Sequence, residues 1–321
     1  MRNLTLVALG VLLSVNAFAQ TIVDEFDGGF DPNLPWSWLV VIPDNDPNTC
    51  DLVNTENTDY YAFRDGELVL TMHPWNSVFD QWNYAVNFPN LPVAGFEPGW
   101  AIETEVTLDL NGNTPGVYTQ AGIILMQDMD NYYSVQLVIN PNASPISYWL
   151  STAHEVNRNY QYGGASAGFW GDGAPSFTLK MRIADAGPDE SGNPRIRVQV
   201  QLPDWTDFVD VWPSPFLMPT MVQAVATNGG RVGFFHVAGF EGDQQPIASF
   251  KYIKLENVQL AYPSCPQDVT GDGVVNDADL LEVLFSFGAS ADPCTRADVN
   301  RDGVVDDADL LEVLFSFGST C

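Results

Sequence analysis

The chain has 321 residues and a net charge of −29, from 41 acidic against 12 basic side chains. A polyanion of this kind repels nucleic-acid phosphates, so a nucleic-acid partner is excluded. After the first twenty residues no apolar run reaches the roughly 18 residues that span a bilayer, which excludes membrane insertion.

Residues 1–19 read as a secretory signal peptide: Arg2, an apolar run from Leu4 to Val15, then Ala17-Phe18-Ala19, with cleavage before Gln20. The expected location is therefore secreted, extracellular or cell-surface associated. Four cysteines, Cys50, Cys265, Cys294 and Cys321, suit an oxidising compartment and allow three disulfide connectivities.

Residues 20–262 are rich in aromatic and β-branched side chains and have almost no helical period, which predicts a mainly β domain. Strands are expected at 21–26, 38–42, 67–72, 101–110, 118–127, 132–139, 146–152, 177–183, 195–202, 231–236 and 248–260. The alternation is strictest where Leu179, Met181 and Ile183 oppose Thr178, Lys180 and Arg182, and where Ile196, Val198 and Val200 oppose Arg195, Arg197 and Gln199. Glu103 and Glu105 alternate outward on 101–110 and are expected to pair with Lys180, Arg182, Arg195 or Arg197. About a dozen strands in one stretch favour a single two-sheet sandwich.

All nine tryptophans lie in this domain. Aromatic planes stack on sugar rings, so aromatics in apparent loops are candidates for polysaccharide binding. These are Trp75 and Trp82 in HPWNSVFDQWNY, and Tyr160, Tyr162 and Trp170 in NYQYGGASAGFWGDG. A glycoside hydrolase needs two carboxylates on one face, and no E-x-D-x-x-E strand is present. His73, His154 and His236 have no serine or cysteine partner at recognisable spacing. The first reading is thus non-catalytic carbohydrate binding, with a polysaccharide-degrading hydrolase or lyase and a structural or adhesive protein as the alternatives.

The segments DEFDG (24–28), WSW (36–38), QAGIILMQDMDNYYSV (120–135), VGFF (232–235) and ASFKYIKLENV (248–258) resemble, in sequence and order, the concanavalin-like jelly rolls appended to bacterial glycosidases. That resemblance implies a lectin or glucanase type of jelly-roll sandwich.

Residues 263–321 are organised differently. DVTGDGVVNDADLLEVLFSFG (268–288) returns as DVNRDGVVDDADLLEVLFSFG (298–318), with three differences. Each copy opens with a loop whose oxygen-bearing side chains stand at positions 1, 3, 5, 9 and 12, with glycine at position 6. This is calcium spacing, because the cation takes about six to eight oxygens and a short loop must turn its odd-numbered side chains inward. The expected ligands are Asp268, Thr270, Asp272, the Val274 carbonyl, Asn276 and Asp279, then Asp298, Asn300, Asp302, the Val304 carbonyl, Asp306 and Asp309: two ions in all. Proline and cysteine ahead of each loop deny it an entering helix. An exiting helix is expected from Ala278 to Phe287, with apolar residues at Leu280, Val283, Leu284 and Phe287, and again in the second copy with Leu310, Val313, Leu314 and Phe317. Twelve acids here face only Arg296 and Arg301, so the calcium-free module is expected to unfold.

Two loop-helix units with aspartate at position 12 resemble the type I dockerin, which docks onto cohesin domains. The resemblance implies a cohesin-like partner contacted through Asp277, Ala278, Leu284 and Phe285, and equivalently through Asp307, Ala308, Leu314 and Phe315. The sequence departs from the family at the last two positions of each set, where a basic pair is common.

Overall fold

The computed structural model describes residues 20–31, 33–41, 60–71, 77–79, 82–112, 118–140, 142–171, 173–238, 246–261, 266–270, 274–289, 297–300 and 304–319. Residues 39–41, 77–79, 82–86, 162, 169 and 238 are described by backbone alone. Residues 1–19, all four cysteines and Trp75 lie outside the described residues.

The strands in chain order are β1 (Thr21–Asp24), β2 (Ser37–Val41), β3 (Tyr61–Arg64), β4 (Glu67–Thr71), β5 (Ser77–Phe79) and β6 (Trp82–Asp109). There follow β7 (Thr119–Asp128), β8 (Asn131–Asn140), β9 (Ser147–Val156), β10 (Asn159–Trp170), β11 (Ser176–Asp185) and β12 (Arg195–Gln201). Short β13 (Val209–Asp210) and β14 (Phe216–Leu217) precede helix α1 (Thr220–Asn228), then β15 (Gly230–Ala238), β16 (Ile247–Phe250) and β17 (Ile253–Leu260). Two helices close the chain, α2 (Asp277–Phe285) and α3 (Asp307–Phe315).

Every strand pairing is antiparallel among the described residues, and β6 organises them. Its first part pairs with β2 on one side and β15 on the other, and the sheet continues through β7, β8 and β9 to β10. Its second part, from Val93 onward, lies between β16 and β17 on one side and β11 on the other. That second sheet extends through β12 to β13 and β14, through β4 to β3, and from β17 to β1. Ile123, Leu125, Val135 and Leu137 of the first sheet share one core with Ile102, Val106, Met181, Val198 and Phe250 of the second. The layers therefore face each other as a sandwich, and β6 passes from one to the other. Pro89, Pro92 and Pro98 punctuate it, Gly99 takes φ +80°, and the ladder to β17 slips between Glu256 and Val258. Proline supplies no ladder donor and a slipped register bends a strand, so these residues mark where β6 changes layer.

Several differences from the sequence reading have physical causes. NYQYGGASAGFW, read as a loop, is β10. Its glycines sit at register shifts between Tyr162 and Ser166 and between Ala167 and Trp170, so they mark bulges inside a strand. Trp82 likewise opens β6 rather than sitting in a loop. Helix α1 was not expected; Met221, Val222 and Val225 plug the end of the main core. Gly229 ends it at φ +80°, where an added Cβ would stand 2.6 Å from the Val93 carbonyl oxygen.

The outer face of the first sheet is also covered. Phe88, Ile124, Met126, Met129, Tyr132, Phe235 and Val237 form a second buried apolar cluster there. The outer face of the second sheet is charged: Arg182 pairs with Glu256 at 2.7 Å and with Glu103 at 4.0 Å, while Lys251 pairs with Glu105 at 3.7 Å. Arg182 thus meets the expectation for Glu103, whereas Glu105 is paired with Lys251.

Helices α2 and α3 share a small core of Val269, Val275, Val283, Ala297, Val299, Val305 and Val313, flanked by Leu280 and Leu310. Of the apolar positions on each helix, Val283 and Val313 enter this core, while Leu284 and Phe287 are each 49% exposed, and the second copy repeats this. A core this small has room for only one stripe of each helix. No described helix is long and apolar enough to cross a membrane.

Candidate functional site

Each C-terminal loop is drawn together by the aspartate at its twelfth position. Asp279 is fully buried. Its Oδ1 accepts from the Thr270 backbone N–H at 2.8 Å and the Thr270 hydroxyl at 2.9 Å, and its Oδ2 accepts from the Asn276 N–H at 2.8 Å. Asp309, equally buried, accepts from the Asn300 N–H at 3.0 Å and the Asp306 N–H at 2.9 Å. One carboxylate thereby holds the third and ninth loop positions of its own copy. Burial pushes the Asp279 carboxyl up, but the Thr270 and Asn276 N–H bonds and the Thr270 hydroxyl bring it below its ordinary value.

The same aspartates start the helices. Asn276 accepts from the Ala278 N–H at 2.7 Å and Asp306 from the Ala308 N–H at 2.8 Å, and each completes a capping box with Asp279 or Asp309. The helix therefore begins where the loop closes. The copies also complete each other. Val275 exchanges backbone hydrogen bonds with Gly318 and Ser319, at 2.7 and 2.9 Å, and Val305 with Gly288 and Ala289, at 2.8 and 3.1 Å.

Hard oxygen donors, mostly carboxylates, are the donor chemistry that suits calcium. Asp279 and Asp309 shape their loops through N–H bonds and form no salt bridge among the described residues; the fit to calcium rests on the oxygen donor types at the loop positions. Asp272 and Asp302, with Gly273 and Gly303, lie outside the described residues.

The expected docking residues stand at the surface. Phe285 and Phe315 are 83% and 86% exposed, Leu284 and Leu314 about half exposed, and Asp277, Ala278, Asp307 and Ala308 open to solvent. Leu281, Phe287, Leu311 and Phe317 widen each apolar patch. Exposed apolar side chains gathered in one patch per copy are the mark of an interaction surface.

Residues 266–314 match the dockerin type I domain. Dockerin type I domains bind calcium and dock onto cohesin partners. The match covers the dockerin module and leaves the sandwich aside. No curated protein matches the chain. Among solved structures, the xylan β-1,4-xylosidase of Bacillus halodurans is similar at 15% identity and TM-score 0.48, over 73% of this chain and 38% of that one. The Bacillus licheniformis β-glucanase is similar at 8% identity and TM-score 0.41, over 73% and 97%. The winged bean acidic lectin, complexed with methyl-α-D-galactose, is similar at 8% identity and TM-score 0.42, over 75% and 100%. The chain thus spans less than two fifths of the xylosidase.

On the sandwich the expected sugar-binding aromatics separate. Tyr160 is 38% exposed on β10. Trp170, at the other end of that strand, is packed against the main core with its ring 5.9 Å from Phe177 and nearly parallel to it. Nothing is described of the Trp82 and Tyr162 side chains.

The register places Arg231, Met126, Tyr132, Glu155 and Tyr160 in one transverse row across β15, β7, β8, β9 and β10. Burial, then the nearby charge and hydrogen bond of Glu155, raise the Tyr132 phenol well above its ordinary value. Arg231 donates to Ser37 Oγ at 3.0 Å and Asn90 Oδ1 at 2.7 Å, and burial lowers its affinity for its proton. At the opposite end of the same face, Tyr118 meets Trp149 edge-on at 5.8 Å, and the Asn142 amide donates to the Tyr118 hydroxyl at 3.3 Å. Tyr118 is 42% exposed. Sequence reasoning missed this pair, because both aromatics lie on or beside strands that alternate well enough to look like core.

Proposed function

We propose that this is an exported, calcium-dependent docking protein that presents a polysaccharide-binding sandwich. In this reading residues 1–19 are the leader, 20–262 the sandwich and 263–321 the docking module. Asp268, Thr270, Asp272, Val274, Asn276 and Asp279 hold one calcium ion, and Asp298, Asn300, Asp302, Val304, Asp306 and Asp309 hold a second. When bound, calcium cancels the repulsion among the loop carboxylates. The loop residues themselves set the helix start through the two capping boxes.

The observation that carries docking is the exposure of Phe285 and Phe315, which the module's own core leaves outside. A cohesin-like domain covers one patch at a time, and the equivalence of the two copies lets it take either. Exposed Tyr118 and Tyr160 and the partly buried Trp149 on the first sheet support polysaccharide binding. The test uses the full chain. Calcium-dependent capture by immobilised cohesin domains, abolished by chelator, is expected; binding to none of a broad cohesin panel refutes the docking reading. Incubation with plant, algal and bacterial polysaccharides is expected to release no reducing ends or unsaturated products. Their release refutes the non-catalytic reading and favours a hydrolase or lyase.

A further inference from the structure

The outer face of the second sheet holds a groove that the reading above does not use. It has a volume of about 230 Å³ and is lined by Glu105, Thr178, Lys180, Gln201 and Trp205, with Leu202 and Pro203 at its floor and rim. That is the room of roughly eight water molecules, which suits one sugar ring and no more.

Three observations give the groove a chemistry. First, Trp205 is 38% exposed on the turn after β12, and it is fixed there. Its backbone N–H donates to the Leu202 carbonyl at 2.9 Å, and its backbone carbonyl accepts from the Gln201 amide at 2.8 Å. A large aromatic residue is thus anchored through its backbone at a groove instead of in the core. Second, Lys180 and Glu105 are cross-strand partners in the β11 and β6 register, yet they form no ion pair with each other. Glu105 is turned to Lys251, and no carboxylate among the described residues lies within ion-pair distance of Lys180, although Arg182, Arg197, Lys251 and Lys254 on the same face are all paired. The groove therefore offers a donor and an acceptor side by side, neither consumed by the other. Third, six of the twelve basic residues of the chain, Lys180, Arg182, Arg195, Arg197, Lys251 and Lys254, belong to this sheet and its immediate turns. They lie among Glu103, Glu105, Asp210 and Glu256, so the face carries charges of both signs on a strongly acidic protein.

We propose that this groove is a subsite for one neutral pyranose unit of a polysaccharide, its ring stacked on Trp205 and a vicinal pair of hydroxyls bridging Lys180 and Glu105. A donor beside an acceptor is what two adjacent hydroxyls require, since one accepts while the other donates. The proposal rests on the polysaccharide-binding reading and gives it a place on the sheet opposite Tyr118, Trp149 and Tyr160.

The test is affinity electrophoresis of the full chain through gels containing a neutral polysaccharide, such as xylan or a mixed-linkage β-glucan, or an acidic one, alginate. Wild type is expected to be retarded in a neutral gel and Trp205→Ala to bind about tenfold more weakly, the scale of a lost aromatic stack. Lys180→Met removes the donor and keeps the stem, and is expected to weaken retardation likewise. Trp212→Ala, also exposed but outside the groove, is expected to leave it unchanged. Circular dichroism of each variant confirms its fold. Unchanged retardation of both Trp205→Ala and Lys180→Met overturns the groove and leaves polysaccharide binding standing. Retardation in alginate alone overturns the neutral-sugar assignment. Wild type passing freely through every gel overturns both this subsite and the reading on which it rests.

Discussion

Changing Asp279 to asparagine alters one atom in the module, and its effect reaches both copies. The carboxylate accepts from Thr270 N–H, Thr270 hydroxyl and Asn276 N–H; the amide keeps one acceptor and turns an NH₂ toward one of those donors. Losing a charge-assisted bond costs about 1.5–3 kcal/mol, and stranding a buried donor about 1–3 more, so a total of roughly 3–5 kcal/mol is expected. A domain of this size is stable by about 0.05–0.15 kcal/mol per residue, so the loss matches most of the module's stability. The damage does not stay in the first copy. Val275 bridges to Gly318 and Ser319, and Val283 and Val313 share one core. Calcium titration of the full chain by calorimetry, followed by far-ultraviolet circular dichroism, reads the outcome. Asp279→Asn is expected to weaken both binding events and to remove the helical signal gained with calcium. Loss of one event, with the other unchanged in affinity and half the helical gain retained, refutes the argument that the copies fold as one unit.

Phe285→Ser with Phe315→Ser is expected to leave calcium binding and helix content unchanged, because both rings are exposed, and to abolish cohesin capture in a pull-down. Asp24 holds the Phe26 and Asp31 N–H groups and the Trp36 indole N–H at 3.1, 2.9 and 2.8 Å; Asp24→Ala is expected to cost about 3 kcal/mol, read as a lower denaturation midpoint in tryptophan fluorescence. His236 is fully buried beside the Leu70 carbonyl, and burial lowers its pKa from an ordinary 6.5 to about 4. The fold holds it neutral, so its contribution is complete above pH 6.5 and is lost as pH falls from there through 4. The slope is about 1.4 kcal/mol per pH unit, roughly 3 kcal/mol in all. Guanidinium denaturation at stepped pH, comparing wild type with His236→Gln, is expected to show this slope in wild type only. Parallel slopes refute it.

In the docking module the helix starts were legible, because a calcium loop fixes residue types at fixed offsets and a near-identical repeat removes chance. The helix boundaries fell within two residues of Asp277–Phe285. Periodicity alone does not divide the apolar stripe: Val283 enters a core built of seven small side chains, while Leu284 and Phe287 stay half exposed. In the sandwich, strictly alternating strands such as β11 and β12 were readable to the residue. Strands that change layer or carry bulges were not, since proline and glycine in β6 and β10 erase the period of two that identifies a strand. The aromatics proposed to face sugar were the least legible. Stacking chemistry names the residue type, but exposure decides the role, and exposure separates Trp170, packed against the core beside Phe177, from Trp205 at the groove.

The placement of β17 gives the protein a direction of strength. It ends at Leu260, just before the docking module, and runs antiparallel between β1 and β6. In the proposed reading, a pull on the docking module reaches the sandwich through the end of β17, where Val258, Gln259 and Leu260 pair with β6 alone. The ladder to β6 is loaded first, and the ladder to β1, over Ile253 to Glu256, shares the load behind it. The strand that joins the two halves of the chain is thus laid out as an anchor cable.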